Sequence, residues 1–106
     1  MYYITKSIKG KAKRTGMYYL TLEEKREVMT DCGDSAVILY EFYISKGGVD
    51  DYDFSDGKAG RALGWTDSKV QRIRLVLEKK HFFRKLKDHN TWIVYIGKDQ
   101  VDKSYE

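Results

Sequence analysis

The chain has 106 residues, carries a formal net charge of +4, and is 42% hydrophobic and 14% aromatic. That is length for one domain and apolar content for a small packed core, which excludes a disordered chain. No apolar run approaches the ~20 residues of a membrane span and no secretory signal opens the chain. A cytoplasmic protein with no membrane partner is therefore expected. The single Cys32 excludes an internal disulfide and a cysteine-rich zinc site, and it reads as a buried small residue. The absence of proline argues against a long irregular linker.

Residues 1–20 form a basic, β-prone extension. Met1-Tyr2-Tyr3-Ile4-Thr5 is nearly repeated by Met17-Tyr18-Tyr19-Leu20-Thr21, and both runs favour extended backbone. Between them lies Lys9-Gly10-Lys11-Ala12-Lys13-Arg14-Thr15-Gly16. The simplest reading is two short strands or arms joined by a basic loop. In that loop Lys11, Lys13 and Arg14 either meet phosphates or a neighbouring minor groove, or make a solvated hairpin tip. The tyrosines suit packing on the body and on a second subunit equally.

Residues 21–80 read as a helical body. Thr21-Leu22-Glu23-Glu24 fits a capping box, with Glu24 three residues after Thr21. The helix it opens runs toward Thr30, stops before Gly33, and turns Leu22, Val28 and Met29 inward. Asp34-Ser35 caps a second helix, Ala36 to Ile44, which is apolar almost all round and is expected at the centre of the core, with Gly47-Gly48 as its stop. The run from Val49 to Asp56 carries Asp50, Asp51, Asp53 and Asp56 but lacks the glycine and glutamate of an EF-hand loop. It reads as an acidic link and not as a calcium site.

Ser55 to Lys80 predicts a short helix, a tight turn and a longer helix. Ser55 N-caps the first, Gly64 stops it in the left-handed conformation, and Thr66 caps the second with Asp67 at the positive end of its dipole. Advancing about 100° per residue puts Val70, Ile73 and Leu77 on one side and Ser68, Gln71, Arg72, Leu75 and Lys79 on the other. The apolar stripe can dock such a helix, while Gln and Arg can pair bidentately with adenine and guanine edges. An ordinary amphipathic surface helix would show the same stripe. Residues 81–97, HFFRKLKDHNTWIVYIG, then read as a β-hairpin around Asp88-His89-Asn90, and residues 98–106 as a polar, fraying tail.

From AGRALGWTDSKVQRIRLVLEKK, through KKHFFRK, to TWIVYI, the chain resembles the winged helix-turn-helix domains of prokaryotic and phage transcription regulators and replication initiators. DSAVILYEFYIS resembles their first helix, so the likeness covers about residues 34–97. It implies an α+β fold: one winged helix-turn-helix domain over residues 1–106, with an N-terminal β-hairpin or arm extension. It also implies double-stranded DNA binding, in transcription regulation or in initiation of phage or plasmid replication.

The charge distribution agrees with that reading. Residues 58–87 hold ten basic and two acidic groups, whereas residues 21–57 hold three basic and ten acidic ones. A basic face of this kind supplies sequence-independent phosphate attraction. Ser68, Gln71 and Arg72 are the expected base readers. Lys69, Lys79, Arg84, Lys85 and Lys87 are the expected backbone contacts, together with Lys11, Lys13 and Arg14. His81 and His89 have no metal-ligand spacing, no phosphate-binding glycine loop occurs, and no nucleophile lies beside a base. No cofactor, no metal and no enzymatic activity are expected. The rival is a winged-helix interaction module docking on a polymerase, a replication protein or its own copy as a homodimer, which exposed Leu75 would serve; a thymine methyl contact explains Leu75 equally well.

Overall fold

Three of the helices begin on a hydroxyl where the sequence places one. The computed structural model describes residues 3–8, 11–15, 20–46, 54–88 and 91–106. Thr21 accepts from the Glu24 amide at 3.1 Å and opens helix α1, Leu22–Cys32. Ser55 accepts from Lys58 at 3.2 Å and opens α3, Asp56–Leu63, while Thr66 does the same for Lys69 at 3.2 Å and opens α4, Asp67–Lys79. Each cap satisfies one of the amides that a helix start leaves unpaired. Helix α2, Asp34–Lys46, follows Gly33 at φ +98°, so Asp34 and Ser35 are its first helical residues and not a cap outside it.

Helix α1 turns a different face inward from the one its apolar residues suggested. Leu22 and Met29 are 66% and 46% exposed, and only Val28 of the expected trio is buried. The inward stripe is Glu24, Val28 and Cys32, at i, i+4 and i+8. Glu24 is drawn in because Tyr40 of α2 donates to its carboxylate at 2.8 Å; the second half of the capping box is replaced by this contact. A Lys25–Glu41 ion pair at 2.8 Å joins the same two helices at the surface. Helix α2 is the core helix, with Ala36, Val37, Leu39, Tyr40 and Tyr43 buried. Its Gly47-Gly48 stop and the acidic run up to Asp53 lie outside the described residues.

Strands β3, Phe83–Asp88, and β4, Thr91–Ile96, form the expected hairpin, with Asp88 paired to Thr91 and ending β3. His89 and Asn90 lie outside the described residues. Phe83, Val94 and Ile96 are buried against the helices; Phe83 stacks on Tyr43 at 4.2 Å, with Phe54 against both rings. The dispersion and area buried by this aromatic cluster tie the sheet to α2.

The N-terminal extension differs from expectation in register and partner. Strand β1 is Tyr3–Ile8 and strand β2 is Lys11–Thr15, so the basic stretch read as a loop is itself a strand. Strand β1 pairs antiparallel with β2, Ile8 opposite Lys11, and residues 9 and 10 lie outside the described residues. Met17 to Tyr19, read as the second strand, lie outside the described residues. Strand β1 also pairs antiparallel with β4, Lys6 opposite Ile93, giving one sheet in the order β2-β1-β4-β3. The hairpin that follows α4 is therefore half of a four-stranded sheet.

The end of the chain is also ordered. Residues 98–106 were expected to fray, but Lys98–Lys103 forms helix α5 with Val101 fully buried. A single apolar anchor is a weak sequence signal; polar contacts complete it. His81 and Asp102 meet at 2.7 Å, and Lys98 pairs with Glu27 of α1. Among the described residues no helix is long and apolar enough to cross a membrane.

Candidate nucleic-acid interface

The α3–turn–α4 unit is held by backbone proximity on one side and by an ion-pair cluster on the other. Gly64, at φ +72°, ends α3 in the left-handed conformation, and the Trp65 amide reaches back to the Gly60 carbonyl at 2.8 Å. A Cβ on Gly60 would lie 2.6 Å from the Trp65 carbonyl oxygen, so a side chain there would push the turn away. Farther along, Arg74 of α4 donates from Nε and Nη2 to the two carboxylate oxygens of Asp56 at 2.8 and 3.1 Å, and from Nη1 to Glu78 at 2.8 Å. The Asp56 hydrogen bonds push the Arg74 pKa up, and burial pushes the Glu78 carboxyl up despite Arg74. Arg74 thus fixes the angle between the two helices and is not offered to a ligand.

The two faces of α4 separate as the helical period requires. Val70, Ile73 and Leu77 are buried, while Ser68, Gln71, Arg72, Leu75 and Lys79 are exposed along the opposite stripe. None of the exposed group takes part in the contacts that hold α3, the turn and α4 together. Ser68 and Gln71 lie in the N-terminal half, the part that enters a major groove in helix-turn-helix complexes. Lys69 is half-buried, with its ammonium 4.4 Å above the Trp65 ring.

The hairpin places its basic residues less uniformly. Arg84 was expected to face phosphates; instead its Nη1 donates to the Ser104 carbonyl at 2.9 Å and hydroxyl at 2.7 Å, and its guanidinium lies 3.7 Å over Tyr105. The reason is the folded C-terminus, which packs beside β3 where a fraying tail would have left Arg84 open. Lys85, the next residue, is half-buried and gives its backbone N–H to the Glu78 carboxylate. Lys87 is a register partner of Trp92 in β3, and Lys11, Lys13 and Arg14 lie on β2 opposite Ile8, Lys6 and Thr5. With β2 and β3 at opposite edges, these two basic groups are separated by three strand spacings, about 14 Å. The sheet order thus sets the basic residues of the N-terminal extension and those of the hairpin at opposite edges.

Exposed Arg61 and Lys58 of α3 were not singled out from the sequence, nor was Lys80 after α4. The spacing of Lys58 and Arg61, three apart opposite buried Ala59 and Gly60, was the available signal. His81 follows at φ +63°: its amide bonds to the Glu78 carbonyl at 3.1 Å and that of Phe82 to Leu77 at 2.9 Å. This is a Schellman helix end with a histidine where glycine is usual.

An open groove of about 540 Å³ lies between the α1–α2 junction at Cys32, Gly33, Asp34 and Ser35 and the α4 residues Arg72, Ile73 and Val76. Burial pushes the Cys32 thiol pKa up, which disfavours the nucleophilic thiolate. Among the described residues no group of three or more His, Cys, Asp or Glu side chains could hold a metal ion. No protein-family model, curated protein or solved structure matches the chain.

Proposed function

We propose that this chain is a winged helix-turn-helix domain that binds double-stranded DNA, with the N-terminal half of α4 in the major groove. The observation that carries the reading is the exposed Ser68–Gln71–Arg72–Lys79 stripe on a helix whose other face is wholly committed to the core. Ser68, Gln71 and Arg72 read base edges, and Lys69 and Lys79 meet phosphates, joined by Lys85 and Lys87 of the hairpin. The α+β order, helix–turn–helix followed by a hairpin, supports the same reading. Its biological setting is transcription regulation or the initiation of phage or plasmid replication.

Leu75, 51% exposed in the middle of that stripe, favours the second reading, a module that docks on a protein. Binding to mixed duplex at several salt concentrations separates the two. Neutralising about four to six phosphates gives a slope of log K against log salt of roughly −4 to −5. No binding at low salt would remove the DNA reading and leave the protein partner.

A further inference from the structure

We propose that Lys79, Lys80, His81 and Lys98 form a groove that takes a backbone phosphate of the same duplex, beyond the end of α4. The inference rests on the DNA-binding reading and extends its footprint from Lys79 to Lys80, His81 and Lys98, which that reading does not use. The groove, of about 350 Å³, is lined by those four residues and Asp102. Its one carboxylate is engaged, since Asp102 accepts from His81 Nδ1 at 2.7 Å. Lys98 is matched by Glu27 and forms the far wall with its ammonium 5.0 Å from the Phe82 ring centroid. Lys79 and Lys80 are exposed and have no ion-pair partner among the described residues. The open charge of the groove is therefore positive, on two adjacent ammonium groups.

The backbone contributes a second observation. His81 occupies the left-handed position at the helix end, φ +63°, which disfavours a side chain. A non-glycine residue holds that conformation when its surroundings over-determine it, as the contacts of the His81 ring do here. Here the turn aims the ring at the groove. Nδ1 donates to Asp102 and one ring face is covered by Tyr105, stacked at 5.1 Å, so Nε2 is the remaining polar edge, which donates to an oxygen ligand when the ring is protonated.

Length decides why the ligand is a duplex phosphate. Lys79 belongs both to the groove and to the exposed stripe of α4. From Ser68 to Lys79 the helix rises about 16 Å, more than the roughly 12 Å width of the major groove. A helix entering N-terminus first therefore carries its last turn over a bordering phosphate row, and Lys80 and His81 follow it there.

The test compares the full chain with Lys80→Ala and Lys80→Glu, neither of which touches a residue assigned to base reading. The Lys80 amide bond to Val76 is made by the backbone, so both variants are expected to fold, checked by circular dichroism. For Lys80→Ala, the slope of log K against log salt should flatten by about 0.9, and affinity at 0.1 M salt should fall about fivefold to tenfold. Lys80→Glu should lose more. Retention of the wild-type slope and affinity in both variants overturns this inference and leaves the DNA reading intact. Absence of duplex binding by the wild-type chain overturns both. A tripolyphosphate titration followed at the His81 ring by NMR distinguishes the source of the phosphate. Shifts that duplex does not reproduce would assign the groove to a small anion and overturn the duplex contact.

Discussion

Gly57→Ala and Gly60→Ala add the same methyl group to the same helix and should move stability in opposite directions. In both cases alanine reduces the entropy of the unfolded chain and raises helix propensity, stabilising by about 0.4–1 kcal/mol. At Gly57 the added Cβ would meet only side-chain ends, Arg61 Nη1 and Asp67 Oδ2, each at 3.6 Å, which is ordinary contact. At Gly60 it would lie 2.6 Å from the Trp65 carbonyl oxygen, nearly an ångström inside contact with a backbone atom. Relief must come from shifting the turn, and with it the 2.8 Å bond from the Trp65 amide to Gly60. Overpacking of that kind costs about 1–3 kcal/mol, and weakening the hydrogen bond about 1 kcal/mol more. The larger effect wins at Gly60, with a net loss of about 1–3 kcal/mol and a melting temperature lower by roughly 5–20 °C. Gly57→Ala should melt at or slightly above the wild-type temperature. Thermal and urea unfolding of the two variants side by side provide the assay. A Gly60→Ala protein as stable as Gly57→Ala would refute the close approach of α3 to the Trp65 turn.

Other perturbations probe the same unit and its surroundings. Arg74→Ala should lower stability by about 2–3 kcal/mol in urea unfolding, because Asp56 and Glu78 are left half-buried without their cation; a loss below half a kcal/mol would show that the cluster is solvated. Burial raises the Glu24 carboxyl above its ordinary 4.5, so its favourable contribution is present below that pH and lost as pH rises through the folded value. Glu24→Gln, which keeps an acceptor for Tyr40, should therefore gain stability relative to wild type between pH 4.5 and neutrality, and a difference independent of pH would contradict this. Arg72→Ala should melt within a few degrees of wild type yet lose roughly 1–3 kcal/mol of preference for a selected duplex over scrambled competitor. Undiminished preference would move the reading face elsewhere.

What the sequence made legible was whatever depends on local chemistry. The hydroxyl caps at Thr21, Ser55 and Thr66, the glycine stop at Gly64, and the division of α4 into two faces all follow from neighbours within a turn or two. What it hid depends on partners far along the chain. Leu22 and Met29 stay outside because Tyr40, sixteen residues from Glu24, selects the inward face of α1. Arg84 is withdrawn because Ser104, twenty residues later, supplies acceptors that no local pattern announces. The pairing of β1 with β4 joins opposite ends of the chain, and only a long-range register could reveal it. The exposed stripe of α4 was legible and the placement of the other basic residues less so, because the stripe lies on one helix whereas their positions depend on sheet order.

The distribution of fixed contacts also bears on how α4 could read a duplex. Its start is set by the Gly60–Trp65 approach, its middle by Arg74 bonded to Asp56, and its end by the Schellman turn through His81. All three restraints act from the side facing the body, and none uses a side chain of the exposed stripe. A reader held in this way loses little backbone freedom on binding, so its contacts are not offset by the entropy of ordering the helix. The same separation lets Ser68, Gln71 and Arg72 be changed without disturbing the scaffold, whereas Gly60 and Arg74 cannot be changed without moving α4. Substitutions in the stripe should therefore alter sequence preference at nearly constant stability. Substitutions at the restraints should lower stability first, and shift preference only through the angle at which α4 is presented.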